Sequence, residues 1–574
     1  MKKKNIYILI NKIKNKELEK INKNKNNYFL VLNANNYDTT INLRTINLLD
    51  KINVSFYEKS LKYLEKLEIN IKKNKYFKNF PEYFKEEILN TFTLQVSPVI
   101  FLREVLNLDN CIFYIHNGYT WKKFDDNDKL VSNLSKIYDR FFDIKINYFS
   151  FFHNKIVEFM INKIIKFIIG NKKIIIVTDD FEKSDRINKY ITFFSNKFIF
   201  VKFKESRNNL LSLLFDLKNY YFNKTKIINL PLINLKNKFK YKNEISKFID
   251  SVFNNFEIKY KKILKRRFLY SLNNLEILKN HFNLFYVSNN VSLLIAHHLF
   301  WSTPLALGYI SNINKVPVIL ITHGTHTYQK DYFSRLVNNF RSKGMIYSKY
   351  ATFTIAQSKL ANDYLINKNY NIKIIKTKPL MWGKIYFSYQ KYTDIFTILH
   401  ASTFKLLNAR FYMYENSIEY YLGIVKLIKI VNKIKNIKLI IRPINNIDFD
   451  KNILNKYLNE KITIDKNKNF IDSMNQSDML ISNSSTTIEQ SLYLRKPVGL
   501  HSYGNNYFHI NGSLKMPDNY KRYPVYQLND NNINDMLVNI QKYHHNKKLN
   551  NSEVSGLIWT DKFESIKQLN KYLN

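Results

Sequence analysis

Residues 477–500 read SDMLISNSSTTIEQSLYLRKPVGL. Residues 479–482, three apolar side chains and a serine, read as a short buried strand. A polar turn follows at 483–486, then a segment with apolar residues at helical spacing, then a second strand opening at Pro497. The turn brings the hydroxyls of Ser484, Ser485 and Thr486 to the start of a helix. A helix start has unpaired N–H groups and a partial positive charge, so it suits an anion. Thr486 and Glu489 also have the spacing of a capping box, hydroxyl at the N-cap and carboxylate three residues on. Both readings, phosphate site and ordinary capped helix, stand on these residues alone.

Working outward, the same strand–helix alternation runs through the chain. Apolar, β-branched runs occur at 6–10, 29–32, 54–57, 112–116, 174–178, 198–203, 285–288 and 318–322. A later set lies at 397–400, 439–442, 462–464, 479–482 and 498–501. Continuous apolar strands separated by helical segments indicate parallel sheets covered on both faces. The spacing predicts an α/β protein with two Rossmann-like doubly wound domains facing a cleft, and an enlarged N-terminal part. At 574 residues the chain exceeds one core. The best boundary falls in 377–393, which holds Pro379 and Gly383 and precedes a new strand–helix series, with 379–393 as the linker. That gives an N-terminal unit at 1–378, with an insertion or subdomain within 1–160, and a C-terminal unit at 394–574.

Composition narrows the class. The net charge is +44, from 90 basic and 46 acidic residues. Such a charge suits nucleic acid or an anionic surface. Lys, Asn, Ile, Phe and Tyr are high together, however, while Gly (11) and Pro (10) are scarce, which fits a coding bias spread over the whole chain. No nucleic-acid motif accompanies the lysines, so no nucleic-acid partner is expected, while peripheral contact with an anionic membrane is. One cysteine, Cys111, allows neither an internal disulfide nor a cysteine-based zinc site. The basic N-terminus has too short an apolar run for a signal peptide, and 156–169 carries charges that suit a helix against a core, not a membrane span. A cytoplasmic location, with contact at the inner membrane face, is the expectation.

Four segments carry chemistry. In VPVILITHGTHTYQK, 316–330, a buried strand runs into His323, Gly324 and Thr325. Ligands of open α/β sheets bind beyond the carboxyl ends of strands, and a histidine there can take a proton near neutral pH. Capping of a strand-end turn is the plain alternative. In TILHASTFK, 397–405, small residues Ser402 and Thr403 let a phosphate approach, and Lys405 offers charge. In KLIIRP, 438–443, Arg442 ends a strand, where it either meets phosphate or carboxylate in a cleft or pairs with a nearby helix terminus. The fourth segment is 477–500. His297-His298 reads as structural, within an apolar helix. Asp179-Asp180 reads as a helix N-cap, so no metal site is expected.

In this order the segments resemble the GT-B glycosyltransferase superfamily, with bacterial capsule, lipopolysaccharide and teichoic-acid transferases among its members. The strand–His-Gly-Thr of 318–325 is similar to the His-Gly motif of CDP-glycerol glycerophosphotransferase-like proteins. The resemblance covers 285–510. It implies a nucleotide-activated sugar donor on the C-terminal side, with Ser402, Thr403, Lys405, Arg442, Ser484, Ser485 and Thr486 toward phosphates and Glu489 toward ribose. It implies a glycan or lipid-linked acceptor on the N-terminal side, with His323 as base beside Gly324 and Thr325. It implies neither metal nor cofactor. Where many relatives carry a further histidine, this chain has Ile444 and Asn445 after Pro443. UDP-sugar epimerases share the architecture, and polyol-phosphate transfer or a non-catalytic scaffold are further readings.

Overall fold

The computed structural model of the protein describes residues 4–9, 13, 15–31, 54–106, 111–116, 120–124, 130, 163, 172–178, 198–204, 227–232, 239–300, 302–322, 332–367, 372–377, 393–401, 417–442, 452–455, 457–465, 469–483, 485–502 and 510–560. They form three sheets.

The first has four strands, β1 (Lys4–Leu9), β2 (Asn27–Val31), β3 (Cys111–His116) and β4 (Trp121–Phe124), in the order β2-β1-β3-β4. Only β3–β4 is antiparallel. Helices Val54–Lys73 and Glu82–Leu106 lie between β2 and β3 in the chain. They dock on later residues. Lys343 Nζ meets Glu68 Oε1 at 2.6 Å, Lys349 pairs with Glu82 and with Glu86, and the Tyr332 hydroxyl donates to Glu65. The apolar face of β1, Ile6 and Ile8, belongs to the same hydrophobic cluster as these helices and one face of the next sheet.

The second sheet has seven parallel strands, β5 (Lys173–Thr178), β6 (Phe198–Lys204), β7 (Ile227–Pro231), β8 (Val291–Ala296), β9 (Val318–Ile321), β10 (Phe353–Ala356) and β11 (Lys373–Lys376). Their order is β11-β10-β9-β8-β5-β6-β7. The chain winds outward one way from β5 and then the other way from β8, so the topological switch lies between β5 and β8. Both faces are covered. Ile174, Ile176, Leu294 and Leu320 enter the cluster shared with the helices, while Ile175, Val177, Leu293, Ile295, Ile319 and Ile321 form another. Alternate side chains along one strand point to opposite faces, which is why the inner strands β5, β8 and β9 are apolar at nearly every position.

The third sheet has six parallel strands, β12 (Phe396–His400), β13 (Ile437–Ile441), β14 (Ile462–Ile464), β15 (Met479–Ile481), β16 (Val498–Leu500) and β17 (Val525–Gln527), in the order β14-β13-β12-β15-β16-β17. Its switch lies between β12 and β15. Phe396, Ile398, Leu439, Met479 and Ile481 line one core, and Leu399, Leu480, Val498 and Leu500 the other. Leu360, from helix Lys359–Asn367 just after β10, joins that second core. Lys376, ending β11, lies 5.3 Å from the Trp559 ring. The two halves therefore touch through this helix and through Lys376.

The doubly wound α/β expectation holds for both large sheets. Three expectations do not. Residues 54–57 begin helix Val54–Lys73, whose Leu61, Leu64, Leu67 and Ile71 are buried at a three-to-four-residue spacing. Residues 285–288 are the last turn of helix Ile258–Ser288, where Phe282 and Phe285 are buried while Val287 is 74% exposed. The true strand is β8, and His297-His298 stands just beyond its carboxyl end, not within a helix. The segment 156–169 lies outside the described residues apart from Lys163, and the boundary at 379–393 apart from Thr393.

Candidate functional site

The switch point of the six-stranded sheet is built from the ends of β12 and β15. His400 closes β12, and Ala401 follows with its N–H donating to the Ile481 carbonyl at 3.0 Å. Beyond β15, the Ser482 hydroxyl donates to the Ala401 carbonyl at 3.0 Å, and the Thr487 hydroxyl donates to the same oxygen at 3.4 Å. Two hydroxyls on one carbonyl fix the loop entrance after β12 to the turn after β15. The helix Thr487–Tyr493 starts in that turn. Thr486 has helical backbone angles and makes no side-chain cap bond, while the Ser485 hydroxyl accepts from the Thr487 N–H at 3.3 Å. The capping box expected of Thr486 and Glu489 is therefore not formed, and the cap shifts one residue back. Glu489 is fully buried, beside Tyr493, whose pKa is raised by burial and by the Glu489 charge. A ribose could reach it only if its cover moved.

Arg442 makes its described contacts within the fold. Its guanidinium pairs with the Asp465 carboxylate, and Nη1 also lies 2.9 Å from the Ser473 hydroxyl, which itself donates to Asp465. Its backbone N–H donates to the His400 carbonyl at 2.9 Å. Arg442 therefore ties the end of β13 to the residue after β14. Its described side-chain partners are thus a carboxylate and a hydroxyl of the fold.

Two buried histidines flank the same edge and were not singled out from the sequence. Burial, then His501, pulls the His400 pKa down to about 3, and its ring lies 5.7 Å from Tyr420. His501, just past β16, is lowered to about 4, by burial first, with Asp530 opposing. Asp530 pairs with Lys426 of helix Ser417–Val431. Both imidazoles are neutral near pH 7. The signal that could have found them is the one used for His323, a histidine closing or following an apolar run.

The seven-stranded sheet has a polar carboxyl edge too. Thr178 ends β5, His297 and His298 follow β8, Thr322 follows β9, and Gln357 follows β10, all buried. The hydroxyls of Thr178 and Thr322 are buried without a hydrogen-bond partner, whereas the Thr322 carbonyl accepts from Gln357 Nε2 at 3.1 Å. The two histidine rings lie 5.9 Å apart. The turn after them is held by Gly344, whose carbonyl accepts from the Leu299 N–H at 2.6 Å. Gly344 has φ +70°, and a Cβ there would lie 2.7 Å from Phe300 Cα, so only glycine fits.

His323, Gly324, Thr325, Ser402, Thr403, Lys405 and Ser484 lie outside the described residues. Their described neighbours are Thr322, Ala401, Asn483 and Ser485, all at strand carboxyl ends or the turns beyond them. Among the described residues, no group of three or more His, Cys, Asp or Glu side chains is arranged to hold a metal ion, and no helix is long and apolar enough to cross a membrane.

No protein-family model and no curated protein sequence matches the chain. Solved structures of similar shape include an S. aureus MnaA–UDP complex, at 15% identity over 67% of this chain and 93% of that one, TM-score 0.38. A UDP-GlcNAc 2-epimerase from Methanocaldococcus jannaschii is similar at 12% identity over 70% and 98%, TM-score 0.35. The calicheamicin glycosyltransferase CalG4 is similar at 8% identity over 70% and 94%, TM-score 0.37.

Proposed function

We propose that this chain transfers a glycosyl group from a nucleotide-activated donor to a cell-surface polysaccharide or lipopolysaccharide precursor. The observation that carries the proposal is the repeated winding. Two parallel sheets each reverse strand order once, at β5/β8 and at β12/β15, and each gathers buried polar residues at that carboxyl edge. Open α/β sheets bind ligands at such switch points. Contact between the halves through Leu360 supports a GT-B-like arrangement in which the two edges serve one reaction.

In this reading residues 394–574 hold the donor and residues 1–378 the acceptor. Hydroxyls of Ser402, Thr403, Ser484, Ser485 and Thr486, with the Lys405 ammonium, meet the donor phosphates. His323, with Gly324 and Thr325 giving close approach, meets the acceptor hydroxyl. That hydroxyl loses its proton to His323 as its oxygen bonds to the anomeric carbon. The bond from that carbon to the phosphate oxygen breaks, and the electron pair leaves with the nucleotide. Cationic and hydroxyl groups near the phosphates favour that charge build-up, and closure of the halves excludes water.

The test is nucleotide release and product formation with CMP-, UDP-, GDP- and CDP-linked donors. Transfer that is lost in His323→Ala, with donor binding kept, is the expected result. Turnover of a UDP-sugar to its epimer without acceptor would make the chain an isomerase. Binding without turnover on any acceptor would make it a scaffold.

A further inference from the structure

The outer edge of the six-stranded sheet carries a loop that the reaction above does not use. Residues 510–523 lead into the edge strand β17. Three large apolar side chains on it face solvent, Leu514 at 60%, Met516 at 41% and Tyr520 at 98% exposure. Lone exposed apolar residues are ordinary on a protein surface, but a group of them on one built segment calls for an explanation.

This loop is built. Ser513 bridges to Tyr526, with its N–H donating to the Val525 carbonyl at 2.9 Å and its carbonyl accepting from the Gln527 N–H at 2.8 Å. The Ser513 hydroxyl accepts from the Lys515 N–H at 3.0 Å. Asp518 Oδ1 accepts from the Tyr520 and Lys521 N–H groups at 2.8 and 2.7 Å, closing the turn at the tip. Pro517 is buried. The loop adjoins helix Ile533–His544, where Asn539 Nδ2 lies 3.3 Å from Met516 Sδ and Val538 is 43% exposed. The fixed backbone thus holds apolar side chains outward at no further ordering cost.

Charge selects the partner. Lys515 separates Leu514 from Met516, and Lys521 follows Tyr520, both lysines exposed. Arg522 is taken up by Glu553 at 2.9 Å. Of the nearby acids, Asp518 is engaged by the turn and Asp535 lies on the adjoining helix. An aromatic and aliphatic tip interleaved with lysines matches the interface of a bilayer with anionic headgroups. The apolar groups enter the acyl boundary, and the ammonium groups stay with the phosphates.

We propose that the loop at 510–523, through Leu514, Met516 and Tyr520 flanked by Lys515 and Lys521, seats this protein on an anionic membrane surface. The inference is independent of which reaction the chain performs.

The test is sedimentation of the full chain with vesicles of phosphatidylcholine alone or with about one-third phosphatidylglycerol. The wild type is expected to partition onto the anionic vesicles and little onto the neutral ones. A triple variant, Leu514→Ser, Met516→Ser and Tyr520→Ser, should bind about tenfold more weakly or worse, with its melting temperature kept. Lys515→Gln with Lys521→Gln should bind severalfold more weakly, and the emission of Tyr520→Trp should shift to the blue on anionic vesicles alone. Absence of wild-type binding to anionic vesicles overturns the proposal. So does a triple variant that binds as well as the wild type, or a concentration-dependent dimer, abolished by the triple variant, in a protein that ignores vesicles.

Discussion

The two large sheets are wound alike, yet their carboxyl edges are finished differently. On the six-stranded sheet the hydroxyls at the β12/β15 crossing are spent within the fold, while that of Ser502, past β16, is buried without a hydrogen bond. Ser482 and Thr487 both donate to the Ala401 carbonyl, and Arg442 is held by Asp465 and Ser473. On the seven-stranded sheet the hydroxyls of Thr178 and Thr322 are buried with no hydrogen bond. The β12/β15 crossing is preorganised by its own bonds, whereas the threonines ending β5 and following β9 bury hydroxyls whose bonds are unmade, which costs free energy. Common topology therefore sets where a site sits, and side-chain bonding sets how rigid it is.

The largest expected effect breaks the tied edge. Asp465→Ala leaves a mostly buried guanidinium without its carboxylate and should lower stability by about 3 kcal/mol or more in urea titration. Adding Arg442→Met should recover part of that loss, because the stranded charge goes with it. If Asp465→Ala cost nothing, Arg442 would be available for phosphate after all.

Next comes pH, where the two halves respond with opposite sign. Glu87, on helix Glu82–Leu106, accepts from Ser271 and from Ser302 at 3.1 Å, and burial pushes its pKa up to about 7. A carboxyl raised in this way contributes stability that is complete below pH ~4.5 and is lost as pH rises through about 7. Glu87→Gln should therefore flatten the fall in stability between these values, gaining about 2 kcal/mol at pH 8. On the C-terminal side, His400, His501 and His544 are lowered to about 3, 4 and 3, by burial first. Their contribution is present above pH ~6.5 and is lost as pH falls toward those values. Exchange of backbone amides followed from pH 7 to pH 4 should show the six-stranded sheet opening early. His281 of helix Ile258–Ser288, lowered to about 4, adds a smaller acid response on the other side.

The smallest effects come from deleting one hydroxyl on each edge. Ser482→Ala should cost about 1 kcal/mol, since it removes a made bond. Thr322→Val should be neutral or slightly stabilising, since it removes an unmade one. Equal costs in thermal melts would erase the distinction between the edges.

How much of this was legible in the sequence follows from the physics of each signal. Runs such as those of β5, β9 and β12 are apolar at every position because both faces are covered, and they stand out. β10, β11 and β17 are short and each is broken by Thr, Lys or Gln, so no apolar run stands out. Residues 285–288 look like a strand because Val and aromatics suit both elements. Only the long helical burial pattern from Phe268 onward decides the matter. At the site, the strand-to-turn order around Ser482 could be read, but the partner of Arg442 could not. Asp465 lies 23 residues further along, beyond β14, and meets Arg442 only through sheet pairing. The same limit hid the placement of His297-His298, which depends on knowing that 291–296 is a strand.

The central claim, a nucleotide-sugar donor at the β12/β15 edge, is tested most directly by amide hydrogen exchange with and without the donor that gives the largest thermal shift. The expected result is added protection at Ala401 and across 483–488, with little change in the four-stranded sheet. Protection confined to the four-stranded sheet, or no protection with any donor, would contradict it.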